Sequence, residues 1–368
     1  MTTLDNLDTP CLVLDRGRLA ANARRMDAQL GALGVPLRLH VKTAKSPEVT
    51  AAVLGGRLAP ITVSTLKEAE QFLDEGYTDI LYAVGFEPHK LARATALAQR
   101  GARLTLLVDS VEAARSAPGF QVLVEIDTDG HRAGVRPDDE ARLVAIADAL
   151  VAGGSIVAGV LTHAGASYGC TSTEAIAALA EQERAGAVAA ARVLRRVGHA
   201  APVVSVGSTP TAMFARYLDG VTEVRAGVFV FFDLVMAGIG VCAHDDIAVS
   251  VLATVIGHRA DKGWILVDAG WMALSRDRGT AAQSVDQGYG LVCDVDGRPL
   301  ADLVVADANQ EHGIVARRGG GTPPELPVGT RLRILPNHAC ATSAQHAAYH
   351  VVDGSRVVAG TWRRFAGW

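Results

Sequence analysis

"LRLHVKTAKS", residues 37–46, joins a short apolar strand to a lysine at its end. Leu37, Leu39 and Val41 alternate with other residues, which is the two-residue period of a β-strand. The following "KTAKSPEV" is typical of a turn that leads into a polar helix start. Lys42 therefore stands at the carboxyl end of a strand, either as a surface charge or as a nucleophile held over a cavity. The rest of the chain decides between these two roles.

The same strand-then-helix unit recurs through the first two thirds of the chain. Strands are predicted at 37–41, 60–64, 79–83, 103–108, 120–126, 155–163, 202–207 and 221–227, and helices at 16–33, 66–75, 88–100, 139–153 and 173–196. The strands are apolar on both faces, as in a parallel sheet covered by helices on both sides. Eight such units predict an α/β fold with a closed (β/α)₈ barrel, and an open doubly wound sheet is the alternative.

The pattern changes near residue 246, where short strands separated by Gly, Asp and Pro turns replace the long helical patterns. We predict a barrel domain at 16–245 and a β-rich domain at 246–368, a typical domain size. The strand "TPCLVLD", residues 9–15, precedes the first helix. We expect residues 1–15 to pair with the β-rich domain.

Composition excludes several classes of protein. The chain has 368 residues, of which 49% are hydrophobic, and a net charge of −4, so it can bury a large core and does not attract nucleic acid or an anionic membrane. The longest apolar run, 228–243, is short for a membrane span and contains Asp233. The N-terminus is polar, unlike a signal peptide, and five scattered cysteines indicate a reducing compartment. We expect a cytoplasmic protein with no nucleic-acid or membrane partner.

Polar residues follow several of the predicted barrel strands, and function in such barrels sits at these carboxyl ends. "GSTPT", residues 207–211, follows the seventh strand. Gly207 lets the backbone turn, while Ser208 and Thr209 offer N–H and hydroxyl donors. Such a nest, leading into a short helix predicted at 211–217, suits a phosphate group. The alternative is a plain helix cap, since Ser and Thr are favoured there.

A lysine that faces a phosphate pocket is what pyridoxal phosphate requires, because the amine forms the Schiff base and the nest anchors the phosphate. His40 lies two residues before Lys42, on the same side of the strand. Arg132 suits the phenolate oxygen of the cofactor or a substrate carboxylate. His163 and Tyr168 suit packing on a flat cofactor or relaying protons. A structural role is the alternative for these residues.

"PNHAC", residues 336–340, contains a second candidate site. His338 and Cys340 are separated by one residue, so on a strand both would point to the same face. An imidazole and a thiolate suit zinc, and two ligands leave positions open for water and substrate. A buried cysteine beside a loop histidine is the alternative.

Together these stretches resemble the D-threonine aldolase and D-serine dehydratase family, fold-type III pyridoxal-phosphate enzymes with an alanine racemase-like barrel. The resemblance covers almost the whole chain: "LDTPCLVLD", "RLHVKTAKS", "IDTDGHRAGV", "THAGASYG", "GSTPT", "DAGWMALSRDRG", "NQEHG" and "PNHAC". It implies that Lys42 is the Schiff-base lysine, that 207–209 holds the phosphate, and that His338 and Cys340 bind a divalent metal. Zinc is expected, with manganese or magnesium as alternatives. A homodimer acting on a small D-amino acid is also implied.

Three positions depart from the pattern of the family. Leu39 replaces a proline, and Ala44 and Ala166 stand where relatives have histidines. The cofactor residues are retained, with Lys42 and His163 as the catalytic candidates, but the second proton-transfer group and the substrate preference stay open.

The His-x-Cys motif favours dehydration over retro-aldol cleavage, since aldolases of the family tend to have His-x-Asp. We therefore expect a D-3-hydroxy amino acid, of the D-serine or D-threo-3-hydroxyaspartate type, to give a 2-oxo acid and ammonia. Retro-aldol cleavage to glycine and an aldehyde is the alternative. A racemase is disfavoured by "PNHAC", and a non-catalytic cofactor-binding protein by the segment 246–368.

Overall fold

Strands and helices alternate up to residue 227, and strands dominate the remainder of the computed structural model, which describes residues 1–368. The strands are β1 (Cys11–Asp15), β2 (Leu37–His40), β3 (Ile61–Val63), β4 (Asp79–Gly85), β5 (Arg103–Val108), β6 (Gln121–Ile126), β7 (Ile156–Thr162), β8 (Val203–Val206), β9 (Glu223–Ala226), β10 (Val249–Arg259), β11 (Trp264–Val267), β12 (Leu291–Asp294), β13 (Pro299–Ala308), β14 (Gly313–Arg317), β15 (Arg331–Leu335), β16 (Ala348–Val352) and β17 (Gly360–Arg363).

The helices are α1 (Arg16–Ala32), α2 (Pro47–Val53), α3 (Leu66–Asp74), α4 (Leu91–Gln99), α5 (Val111–Ala114), α6 (Glu140–Ala152), α7 (Thr173–Arg196), α8 (Thr209–Phe214), α9 (Leu234–Gly238), α10 (Trp271–Leu274) and α11 (Ala339–Ser343). None of them combines the length and apolar character that a membrane crossing requires.

Strands β2 to β9 form a closed barrel in chain order, and every neighbouring pair is parallel. The ring closes where Leu37 in β2 lies opposite Val224 in β9. The predicted (β/α)₈ barrel with a C-terminal β-rich domain is confirmed. Because all eight strands run the same way, their carboxyl ends lie at one rim of the barrel.

Side-chain caps set the starts of the helices that follow these strands. Ser46, Thr65, Ser110, Ser172 and Ser208 each accept a hydrogen bond from a backbone N–H in the first turn of the next helix. Such caps satisfy donors that a helix start leaves without a partner. The chain therefore turns away from the rim at fixed residues, which also fixes the loops at the rim.

The second unit contains a nine-stranded sheet in the order β11-β14-β13-β12-β15-β10-β1-β16-β17. Its pairs are antiparallel except β1 with β16. Strand β10 also pairs with β11, which closes the strands β10 to β15 into a ring. Cys11 and Val13 of β1 are buried against Leu252 of β10 and Val352 of β16.

The domain boundaries differ from the predicted 16–245 and 246–368. One compact unit contains Arg24–Gly227 with Gly367–Trp368, and the other contains Met1–Ala23 with Val228–Ala366. The N-terminal segment belongs to the second unit because β1 pairs with β10 and β16. Residues 228–245 belong there too, since Phe231 O accepts the Ala248 N–H and the Leu234 N–H donates to Pro336 O.

Candidate functional site

Lys42 lies two residues beyond the end of β2, and it is exposed. The neighbouring Lys45 is engaged instead, with its Nζ 3.0 Å from Glu68 Oε1 and 5.3 Å from the ring centroid of Trp368. The two lysines of "KTAK" therefore have different surroundings. Lys42, which is exposed, therefore stays the candidate for a ligand-binding amine at the rim.

His40, the last residue of β2, has a ring with an unusual environment. Its Nδ1 is buried and has no hydrogen-bond partner, while its Nε2 lies 3.5 Å from Ser64 Oγ. Burial, together with the positive charges of Lys42 and Arg225, lowers the pKa of His40 well below its usual value. The ring is therefore neutral, and its Nδ1 is a buried polar atom that lacks a partner of good hydrogen-bond geometry.

His163 follows β7, and its Nδ1 lies 3.0 Å from the carbonyl oxygen of Gly207. A carbonyl can only accept, so the proton is on Nδ1 and Nε2 is an acceptor. Burial lowers the pKa of His163 to about 3, so the ring is a weak base at neutral pH. The ring of Tyr168 lies 6.1 Å away between centroids.

Two arginines near the rim differ in their exposure and in their hydrogen-bond partners. Arg132 is exposed, with Nη2 3.5 Å from Glu125 Oε1, so its guanidinium is accessible to an anionic group. Burial raises the pKa of Glu125. Arg225 is only 4% exposed, and its two Nη atoms donate to Ser205 Oγ at 2.8 Å and to Thr162 O at 2.7 Å. Burial lowers the pKa of Arg225 to about 10, which still leaves it charged.

The 207–211 loop comes where it was expected, but its helix α8 begins at Thr209 rather than at the predicted residue 211. Ser208 caps this helix, with the Thr211 N–H donating to Ser208 Oγ at 3.2 Å. The Ser208 N–H donates to Thr211 Oγ1 at 3.1 Å, and the Gly207 N–H donates to Glu183 Oε1 at 2.9 Å. These donors hold the loop itself, so a phosphate role for Gly207, Ser208 and Thr209 stays a prediction.

The rim suits pyridoxal phosphate on three grounds. It presents an exposed primary amine, Lys42, which is the group that the cofactor's aldehyde needs. A buried ring nitrogen of His40 lacks a partner. The charges of Arg132 and Arg225 are placed where an anionic cofactor and a carboxylate substrate are favoured electrostatically.

The predicted metal pair lies in the second unit, at the start of α11 rather than on a strand. Pro336 follows directly after β15, and a proline cannot donate to a strand ladder. His338 is the residue before α11 and Cys340 lies within it. Asp277 Oδ2 lies 2.6 Å from His338 Nδ1, so Nε2 is the nitrogen left for a metal.

The charges around His338 favour a cation. Burial disfavours the charged ring, but hydrogen bonds to Asp277 and to Cys340 outweigh it and raise the pKa of His338 to about 11. Asp233, 1% exposed, accepts the Ala339 N–H at 2.9 Å and so fixes the residue between the two candidate ligands. An imidazole oriented by a carboxylate, beside a thiol, is a donor set that suits zinc.

No group of three or more His, Cys, Asp or Glu side chains is arranged to hold a metal ion. A metal held by His338 and Cys340 alone would have coordination positions open for water or substrate.

Several residues of the two sites were missed by sequence reasoning. Glu183 lies in the middle of α7, among other charged residues of a regular helix, and no sequence signal separates it from Glu181. Asp277 and Arg225 were within quoted stretches but had no role assigned. Asp233 did give a signal, because a single carboxylate in an apolar run is expected to be buried and bonded.

Each half of the chain matches a model of a known protein family. A family model of the alanine racemase N-terminal domain matches residues 14–235, and a model of a serine dehydratase domain matches residues 248–352. Alanine racemase from Bacillus anthracis, at 14% identity and a TM-score of 0.69 over 97% of this chain and 98% of its own, shares the fold.

The D-threo-3-hydroxyaspartate dehydratase of Delftia sp. (strain HT23) is 58% identical over 100% of this chain and 99% of its own length. Its solved structure has a TM-score of 0.97, with 57% identity and both chains fully covered. A variant of that enzyme with a cysteine replaced by alanine has been solved in a metal-free form. The D-threonine aldolase of Arthrobacter sp. is 32% identical over 98% of this chain and 92% of its own.

The neutral state of His163 leads to a prediction about pH. A histidine in an unfolded chain has a pKa of about 6.5, whereas burial lowers that of His163 to about 3. Its contribution to stability is therefore fully present above about pH 6.5 and is lost as the pH falls toward 3. Nitrogen-15 NMR of histidine-labelled protein should show His163 as the Nδ1–H tautomer from pH 8 down to about 4.

A His163→Gln variant assigns the signal. It should also show a smaller loss of unfolding free energy than the unchanged protein between pH 7 and pH 4. Titration of His163 near pH 6.5 would contradict the assignment of a buried, neutral ring.

Proposed function

We propose that this chain, which belongs to the D-threonine aldolase and D-serine dehydratase family of lyases, dehydrates a D-3-hydroxy amino acid to a 2-oxo acid and ammonia. The pairing of His338 with Cys340, oriented by Asp277, carries this proposal. A racemase removes no hydroxyl group from its substrate and so needs no pair of metal ligands. The relative at 58% identity acts on D-threo-3-hydroxyaspartate, which makes that compound the first candidate substrate.

Lys42 would carry pyridoxal phosphate, with His40, Arg132, Tyr168 and the loop 207–209 around it. When bound, this cofactor supplies an electron sink that acidifies the Cα–H bond of an amino acid. Lys42 Nζ is the group that we assign to remove the Cα proton, because it is exposed at the rim. His163, with a pKa lowered to about 3, is too weak a base for that step.

His163 has a positioning role instead. Its Nδ1–H is fixed by the Gly207 carbonyl, so the ring plane is set and Nε2 can only accept a hydrogen bond. A neutral ring can pack on a flat cofactor without adding positive charge. Arg132, with its exposed guanidinium, is the group that we assign to a carboxylate of the substrate.

His338 and Cys340 would hold a divalent metal, for which we propose zinc, with manganese or magnesium as alternatives. A bound metal supplies a Lewis acid that polarises the substrate hydroxyl, since hydroxide is otherwise a poor leaving group. Asp277 would keep the proton on Nδ1 of His338, so that a metal would displace the proton on Nε2. A thiolate with an imidazole favours zinc over the harder cations.

We also propose a homodimer in a reducing cytoplasm. The dimer rests on the family resemblance, and the compartment rests on five cysteines that are all free. Sedimentation equilibrium would test the dimer, and a fully active monomer would contradict it.

Product analysis tests the proposed reaction. With pyridoxal phosphate and zinc, D-threo-3-hydroxyaspartate should give oxaloacetate and ammonia in equal amounts, because loss of water and hydrolysis of the resulting imine release one of each. D-Serine and D-threonine, assayed in parallel, would give pyruvate and 2-oxobutyrate. Glycine and an aldehyde as the main products would favour the aldolase alternative, and an L-amino acid would favour the racemase.

The metal role is tested through Asp277. In Asp277→Asn the amide can no longer hold the Nδ1–H as a charged acceptor does, so zinc affinity should fall about 10–100-fold. Zinc binding is measured by competition with a chromogenic chelator, which does not depend on turnover. Asp261→Asn is the control, since Asp261 pairs with Arg259 elsewhere on the same unit. Equal affinity in Asp277→Asn and unchanged protein would contradict the assigned orientation of His338.

A further inference from the structure

We propose that Glu183, a residue of helix α7, is the positioning residue of the rim that holds His163 and the 207–211 loop together. The role rests on the proposed cofactor function of that rim. Glu183 is 2% exposed and belongs to the layer of helices outside the barrel strands. It touches neither Lys42 nor any residue that we assign to the substrate, so its effect on chemistry must pass through other residues.

Three donors converge on the Glu183 carboxylate. Oε1 accepts the backbone N–H of Ala164 at 3.0 Å and that of Gly207 at 2.9 Å. Oε2 accepts the hydroxyl of Thr211 at 2.8 Å. Ala164 follows β7, and the other two residues follow β8, so one side chain links two neighbouring loops of the rim.

Glu183 fixes His163 from two directions. Its bond to the Ala164 N–H holds the backbone immediately after His163. Its bond to the Gly207 N–H holds the residue whose carbonyl oxygen receives His163 Nδ1–H at 3.0 Å. The tautomer and the ring orientation of His163 therefore both depend on where this carboxylate lies.

The Glu183 carboxylate also sets which atoms of the 207–211 loop donate hydrogen bonds and which accept them. Thr211 Oγ1 accepts the Ser208 N–H at 3.1 Å, so its own hydrogen is free to be given to Glu183 Oε2. A glutamine would keep one oxygen for the two backbone donors but would present an NH₂ group to Thr211. The Thr211 hydroxyl would then have to accept from that NH₂ group and turn its own hydrogen toward Ser208, whose Oγ lies 2.9 Å from Thr211 Oγ1.

A carboxylate is suited to this position because its partners are all donors. Burial raises the pKa of Glu183, and the three donated hydrogen bonds together with the buried guanidinium of Arg225 oppose that shift by favouring the charged form. Hydrogen bonds to a charged, buried acceptor are stronger than neutral ones, so replacing this group has a large effect on geometry.

The test compares Glu183→Gln with unchanged protein and with a matched control. Pyridoxal-phosphate affinity, measured by equilibrium dialysis, should be about 10–100-fold weaker in Glu183→Gln, since strong bonds to a buried charge are lost. The nitrogen-15 signals of His163 in cofactor-free protein should also move. Glu181→Gln is the control, because Glu181 is a carboxylate of the same helix that pairs with Arg184 three residues along it. It should change neither readout, even if it lowers stability.

A purely structural role for Glu183 predicts a lower unfolding free energy with unchanged cofactor affinity and unchanged His163 signals, and that result would overturn the inference. If Glu183→Gln does not fold, Thr211→Val replaces it, since it removes the Oε2 contact, together with the bonds of Thr211 Oγ1 to Ser208, and should move the same two readouts less. No movement in Thr211→Val would also overturn it. If unchanged protein fails to bind the cofactor, the proposed function is wrong, and the His163 signals still decide the role of Glu183.

Discussion

Three strands of the barrel approach each other so closely that only glycine fits between them, and the rim depends on that approach. A Cβ on Gly159 of β7 would collide with the Val203 carbonyl oxygen of β8. A Cβ on Gly207, after β8, would collide with the Arg225 carbonyl oxygen of β9. The φ angle is +147° at Gly159 and +136° at Gly207, values that residues other than glycine rarely adopt. The ends of β7, β8 and β9 are thereby fixed side by side, and with them His163 and the 207–211 loop.

Buried charge then decides what each group at the rim can do. Burial keeps His40 and His163 neutral. Arg225 stays charged, because the carboxylates of Glu223, Glu183 and Glu125 partly offset its burial. Glu183 joins the two loops as an acceptor for three donors. In the second unit the charge around the candidate site is negative instead. Asp277 and Asp233 lie near His338 and favour a cation there. Because the buried groups are shielded from water, their hydrogen bonds and charge interactions are strong. For the same reason, a buried polar group without a partner lowers the stability of the fold.

The sequence was sufficient for the barrel because strands that are apolar on both faces alternate clearly with helical patterns. It also placed Lys42 just beyond the end of a strand, where the structure has it, while the role of Lys42 stays a prediction. The expected pairing of residues 1–15 with the β-rich domain agrees with the structure, but the sequence did not show that residues 16–23 and 228–245 also belong to that unit. Glu183 could not be found either, because an inward-facing glutamate in a long helix has the same pattern as an outward-facing one. His338 and Cys340 were proposed as metal ligands from their residue types, and their place at a helix start required the structure.

The central claim is that Lys42, just beyond the carboxyl end of β2, supplies the reactive amine. Borohydride reduction followed by peptide mapping tests this claim most directly. The protein is incubated with pyridoxal phosphate, reduced, digested and analysed by fragment-ion mass spectrometry, which separates Lys42 from Lys45. The account predicts that the pyridoxyl label is on Lys42, because Lys45 is held by Glu68 at 3.0 Å. A label on Lys45, or on a lysine outside the barrel rim, would contradict it.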